Sequence, residues 1–179
     1  MLEQLRNGLD ATRSTVDSLI SRLVVATGGA SWHSMSEVAR KVYYDAVAIA
    51  ERYGHSEITL EHLLLAILHQ KDGVARHLFV EMSVDLEQMR QRMEQHLASL
   101  PAGATRRRPT LSPRARQATL EALGCATRRS ERWVGSHHLL YGYPQPTELL
   151  RCTDTPRDWA ERGQIASVPV IVDGRYAMG

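Results

Sequence analysis

Cysteine is nearly absent from this 179-residue sequence: Cys125 and Cys152 are the only two, and they form no C-x-x-C pair. That spacing excludes a thioredoxin-type dithiol and a zinc ribbon, and it reads as buried thiol chemistry rather than a disulfide staple. Long apolar runs are also missing, because no stretch approaches the roughly 18 residues of a membrane span. The N-terminus lacks a basic start followed by an apolar segment and a small-residue cleavage site, so a cytoplasmic protein with no membrane partner is expected. No G-x-x-x-x-G-K-S/T phosphate loop occurs, which leaves no backbone cradle or lysine for ATP phosphates in these residues. Lysine is scarce too: arginine supplies 20 of the 22 basic residues.

What is present is an internal repeat. Residues Ser36 to Leu64 lie over Ser112 to Leu140 without a gap at an offset of 76, pairing Ser36, Ala39, Arg40, Ala46, Ala50, Arg52, His62, Leu63 and Leu64 with Ser112, Ala115, Arg116, Ala122, Ala126, Arg128, His138, Leu139 and Leu140. One such helical unit cannot easily bury its apolar stripe alone, whereas two can pack around a shared core. At 43% hydrophobic and 23% charged the composition is globular. The net charge of +2 is unevenly spread: residues 36–97 hold ten acidic and seven basic residues, and residues 106–132 hold eight arginines against two glutamates. The two copies therefore differ in electrostatic character.

The pattern predicts an all-α fold. Leu2, Leu5, Leu9, Val16, Leu19 and Leu23 mark an amphipathic N-terminal helix ahead of Gly28 and Gly29, which either packs on the domain or forms a homodimer seam through residues 2–24. Ser36 caps a long helix that ends at Gly54; a second, nearly all-apolar helix runs from Leu63 to His69; Val74 to Val80 and Val84 to Leu97 supply two more, the last started by Ser83 or Asp85. The expected division is an N-terminal helix and linker (1–34), a double repeat (35–146, with repeat 1 at 35–98, a linker at 99–111 and a partial repeat 2 at 112–146), and a divergent tail (147–179). Counterparts of the third and fourth helices have no matching pattern after Tyr143, so the second repeat reads as truncated.

The stretches YGHSEITLEHLLLAIL, KDGVARHLF and SVDLEQMRQRMEQHL, followed by PTLSPRARQATLEALGCATRRSERWVGSHHLL, resemble the Clp unfoldase N-terminal domain over about residues 36–143. That resemblance implies a pseudo-twofold bundle of two Clp-type helical repeats. It also implies a non-catalytic platform in protein quality control that docks an adaptor, a substrate segment or a Clp unfoldase, with no cofactor. Relatives that bind phosphorylated arginine carry a Gly-Thr-Glu-His turn in both repeats, where the glutamate accepts hydrogen bonds from the guanidinium. Here the first turn reads Ile58, Thr59, Leu60, Glu61 and His62 and keeps Glu61, while the second reads Gly135, Ser136, His137 and His138, with His137 in the glutamate position.

Each of these residues has a plainer role to weigh. Glu61 stands at a helix start, where a carboxylate is favoured by the helix dipole whether or not it meets a ligand. His62 and His138 occupy equivalent helix starts and suit packing or capping better than metal binding, and no metal site is expected. Arg128, Arg129 and Arg132, with the run Arg106 to Arg108, make a basic face for solvent or an acidic partner. Aromatics interleaved for base stacking are lacking, so nucleic acid is not expected as a partner. Trp133 is either packed or, if exposed, a contact anchor. In the tail, SVPVIVDGRYAMG reads as a hairpin similar to the Val-Pro hairpin of DsbA-like thiol-disulfide oxidoreductases, with Pro169 as the family's cis proline. The alternative function is thus a degenerate thioredoxin-like oxidoreductase fragment, and a fusion remnant or frame change explains the same tail.

Overall fold

The computed structural model describes residues 14, 17–18, 35–81, 83–103, 108–141, 170–172 and 175–177. In chain order these form α1 (Glu37–Tyr53), β1 (Glu57–Ile58), α2 (Leu60–Leu68), α3 (Val74–Glu81), α4 (Leu86–Ser99), β2 (Thr110–Leu111), α5 (Pro113–Arg128), α6 (Ser136–Tyr141), β3 (Val170–Val172) and β4 (Arg175–Ala177). The fold is mostly helical, and the four helices expected of the first repeat are all present. None of the described helices is long and apolar enough to cross a membrane.

The duplication extends to individual hydrogen bonds. Ser36 caps α1 by accepting from Ala39 N–H at 3.1 Å, and Ser112 caps α5 by accepting from Ala115 N–H at 3.2 Å, with Pro113 in the first turn where its missing N–H costs nothing. Both helices stop in the same way. Gly54 adopts φ 70° and Ser130 φ 54°, while His55 N–H reaches Ala50 C=O and Glu131 N–H reaches Ala126 C=O. The left-handed residue turns the chain back to satisfy carbonyls the helix leaves unpaired.

The two copies are interlocked. β1 of repeat 1 pairs in parallel with β2, which leads into α5, in the register Ile58↔Leu111; reciprocally, Val134 of repeat 2 bridges Met35, which leads into α1. Ser112 N–H bonds Ile58 C=O at 3.0 Å and Ser36 N–H bonds Val134 C=O at 2.9 Å. The expected linker at 99–111 is thereby corrected: its last two residues form a strand, and Gly103 N–H is held by Gly54 C=O at 2.8 Å. These short strands escape hydrophobic periodicity because two residues are too few to show any.

Around this clasp α1 packs on α2, α5 on α6, α2 on α5 and α3 on α6, so the core is common to both copies. Every residue of α2 except Glu61 is buried, as its nearly uniform apolar composition demands. Across the shared core Tyr43 Oη donates to Thr119 Oγ1 at 2.9 Å, joining two positions that the 76-residue offset makes equivalent. Burial raises the Tyr43 phenol well above its ordinary range and keeps it a donor.

At the N-terminal end Ser14, Asp17 and Ser18 are helical, and Tyr44 Oη donates to Asp17 Oδ1 at 3.2 Å. The rest of the 2–24 seam lies outside the described residues, as do Pro169, residues 142–169 and the Asp173-Gly174 turn. β3 and β4 pair antiparallel in the register Val170↔Ala177, Ile171↔Tyr176 and Val172↔Arg175, the strands expected of the tail hairpin. One expectation for the cysteines is corrected: Cys125, wholly buried on α5, is disulfide-bonded and not a free thiol.

Candidate functional site

Two surface turns, residues 54–62 and 130–138, carry the residues of interest, and each is a short link between a long helix and the helix that dives into the core. In the first, α2 begins after Thr59. Thr59 N–H donates to His62 Nδ1 at 3.1 Å, with Thr59 Oγ1 2.9 Å from the same nitrogen. A histidine at this position does the work of the glutamate in a capping box, folding back on the residue that precedes the helix. The backbone donor fixes the tautomer: neutral His62 carries its proton on Nε2, which lies 2.9 Å from His55 Nδ1 and donates to it. Burial, with the neighbouring His55 adding to it, pushes the His62 pKa down to about 4, so the ring is neutral at physiological pH.

The same wiring leaves His55 Nε2 as an N–H donor, buried and without a partner among the described residues. His55 and His62 line an open pocket of about 220 Å³ together with Ser56, Glu57, Thr59, Leu100, Pro101 and Gly103. Gly103 suits this place because a Cβ there would sit 3.0 Å from the Ser56 side chain. Glu57 is exposed and Glu61 half-buried in the first turn of α2; Thr59 belongs to the pocket wall, whereas Glu61 does not. Among the described residues Glu61 forms no ion pair.

The second turn repeats the frame with different chemistry. Gly135 N–H donates to His138 Nδ1 at 2.9 Å, the counterpart of the Thr59–His62 bond. The partner at the other nitrogen is changed: Glu131 stands where repeat 1 has His55, and its Oε2 lies 3.3 Å from His138 Nε2 and 3.7 Å from His137 Nε2. Its Oε1 accepts from Arg129 Nε at 2.7 Å. Partial burial opposes ionisation of Glu131, but Arg129 and the two rings outweigh it and hold the carboxyl below its usual range. Burial pushes His138 down to about 4 and lowers His137 as well, with Glu131 partly offsetting both.

Glu131, His137 and His138 bring three donor groups within 4.8 Å of one another, a spacing that a metal ion can use. The Gly135 N–H argues against that role, since a ring whose Nδ1 accepts a hydrogen bond presents a proton, not a lone pair, at Nε2. His138 therefore acts as a cap, as His62 does, and His137 and Glu131 alone fall short of a metal site.

The remaining sequence candidates separate. Arg129 is tied to Glu131, whereas Arg128 and Arg132 are exposed. Trp133 is 49% exposed, with the Arg132 guanidinium carbon 5.2 Å from its ring centroid, so the packed alternative is corrected: like Glu57, it is an exposed turn residue that directly precedes a buried one, Val134 here and Ile58 there. Residues 104–107, which include most of the Arg106 to Arg108 run, lie outside the described residues. Sequence reasoning missed His55 and Glu131 as partners of the capping histidines. The offset that aligns His62 with His138 marks these two as equivalent positions, but that each faces its capping histidine is set by the fold of the turn.

Comparison with known proteins agrees with this geometry. The family model for the Clp repeat (R) N-terminal domain matches residues 34–149. The chain is 34% identical over 98 residues to chaperone protein ClpB of Mycobacterium leprae, covering 54% of this chain and 12% of that protein. It spans a small fraction of the length of such relatives. Among solved structures it is similar to the N-terminal domain of the ClpV1 ATPase from the E. coli EAEC Sci1 T6SS, with TM-score 0.60 and 23% identity over 75% of this chain and 85% of that one. A complex of the ClpV N-domain with a VipB peptide gives TM-score 0.54 and 16% identity, covering 62% and 67%. These two likenesses establish the fold. With two capped, strand-exchanged repeats in the structure and a family model that spans both, the chain belongs to the Clp repeat N-terminal domain family.

Proposed function

We propose that this chain is a non-catalytic docking module that binds a segment of a protein partner, whether an adaptor, a substrate or a Clp unfoldase, through the turn of its first repeat. The observation that carries the reading is the asymmetry of the two turns. Glu61 keeps a carboxylate with no ion pair among the described residues, on the turn whose Glu57 and Thr59 line an open, side-chain-sized pocket, whereas the equivalent His137 is drawn into the Glu131 cluster. A guanidinium suits such a carboxylate, because charge-assisted and bidentate contacts are the strong ones. Binding of a VipB peptide by the ClpV N-domain supports a protein segment as the ligand class for this fold. Nothing in the family match supports the oxidoreductase alternative, and the chain has no C-x-x-C.

Calorimetric titration with an arginine-rich peptide, and with its phosphoarginine form, tests the proposal. One site per chain is expected; no binding of either form, or two equal sites, contradicts it.

A further inference from the structure

The two turns share a backbone plan and present opposite surfaces. At equivalent positions repeat 1 has Ser56 and Glu57, and repeat 2 has Arg132 and Trp133. We propose that the second-repeat turn is a separate docking surface for an acidic protein segment with an apolar side chain, which covers Trp133 while its carboxylates meet Arg132 and Arg128. This goes beyond the Glu61 turn and does not depend on it.

Charge complementarity identifies the occupant. The acid within the turn, Glu131, is committed inward: one oxygen accepts from Arg129 at 2.7 Å and the other faces the rings of His138 and His137. Arg128 and Arg132, both exposed, are left to set the sign of the surface, in a stretch where eight arginines stand against two glutamates. Arg132 rests 5.2 Å from the Trp133 ring centroid, a cation–π contact that holds a planar donor beside an apolar face. An exposed tryptophan flanked by arginine combines the two residue types that most often anchor protein interfaces. Nucleic acid fits less well, because it needs several stacking faces along a basic track and this turn offers one indole.

The test uses the full chain and a fluorescein-labelled peptide of sequence Asp-Glu-Leu-Phe-Asp-Glu, with Lys-Lys-Leu-Phe-Lys-Lys and a short oligothymidine as competitors, read by anisotropy. The acidic peptide is expected to bind, to weaken as salt rises and screens exposed charges, and to lose roughly tenfold or more in affinity in the Arg132→Ser/Trp133→Glu variant, which installs the repeat 1 residues. Trp133→Ser alone should give the same direction of change, which keeps the test valid if the double variant folds poorly. Glu61→Ala should leave this binding intact, so failure here and failure of the Glu61 turn are distinguishable. Unchanged affinity in the folded variants, absence of binding, or tighter binding of the lysine peptide or the oligothymidine overturns the proposal.

Discussion

His62 and His138 show how a single residue type can start a core helix in both halves of a duplicated domain. Each accepts a backbone N–H on Nδ1 and turns its Nε2 proton toward position i−7, a histidine in one repeat and a glutamate in the other. Both rings are neutral in the fold because burial pushes them down to about 4, while in the unfolded chain they titrate near 6.5. Between those values the unfolded state binds more protons, so stability is fully present above about pH 6.5 and falls as pH drops toward 4. For His62 alone the loss is on the order of 3 kcal/mol across that window. Urea melts at pH 7 and pH 4.5 on the parent chain and on His62→Gln measure it. A clear drop is expected in the parent and a shallower one in the variant, and equal slopes would show that the ring is not held neutral by the fold.

At the scale of the element, the exits of α1 and α5 are the same device made from different residues. Gly54 accepts φ 70° without penalty, whereas Ser130 holds φ 54° with a Cβ that crowds its own backbone. Ser130→Gly is therefore expected to stabilise the domain by up to about 1 kcal/mol, and Gly54→Ala to destabilise it by a similar amount. Thermal melts of the two variants check both signs. The helices were legible in the sequence because Ser36, Ser112, Gly54 and the apolar face from Val42 to Ala50 are local signals read at helical spacing. The clasp was not legible, since Ile58↔Leu111 and Met35↔Val134 are pairings between residues far apart in the chain. Of the candidate site, the Glu61 and His137 asymmetry could be read directly from the offset. The inward commitment of Glu131 and the exposure of Trp133 could not, because both depend on how the turn folds over the helix end.

For the molecule as a whole, reciprocal strand pairing and one shared core mean that neither repeat is finished without the other. The Tyr43 to Thr119 hydrogen bond sits on that junction, and Thr119 keeps its own donation to Ala115 C=O if the phenol is lost. Tyr43→Phe should thus cost about 1 kcal/mol while leaving the urea transition single and cooperative. Two separated transitions would mean that the repeats fold independently. The surface follows from the same duplication: one turn keeps an outward carboxylate, and the other folds its acid inward and turns arginine and tryptophan out. Docking through the first turn is tested most directly by titrating one arginine-rich peptide into Glu61→Ala and His137→Ala at matched stability. Glu61→Ala is expected to lose roughly 1.5 to 3 kcal/mol of binding free energy, the worth of a charge-assisted hydrogen bond, with His137→Ala near the parent. Unchanged affinity for Glu61→Ala, or a larger loss for His137→Ala, would contradict it.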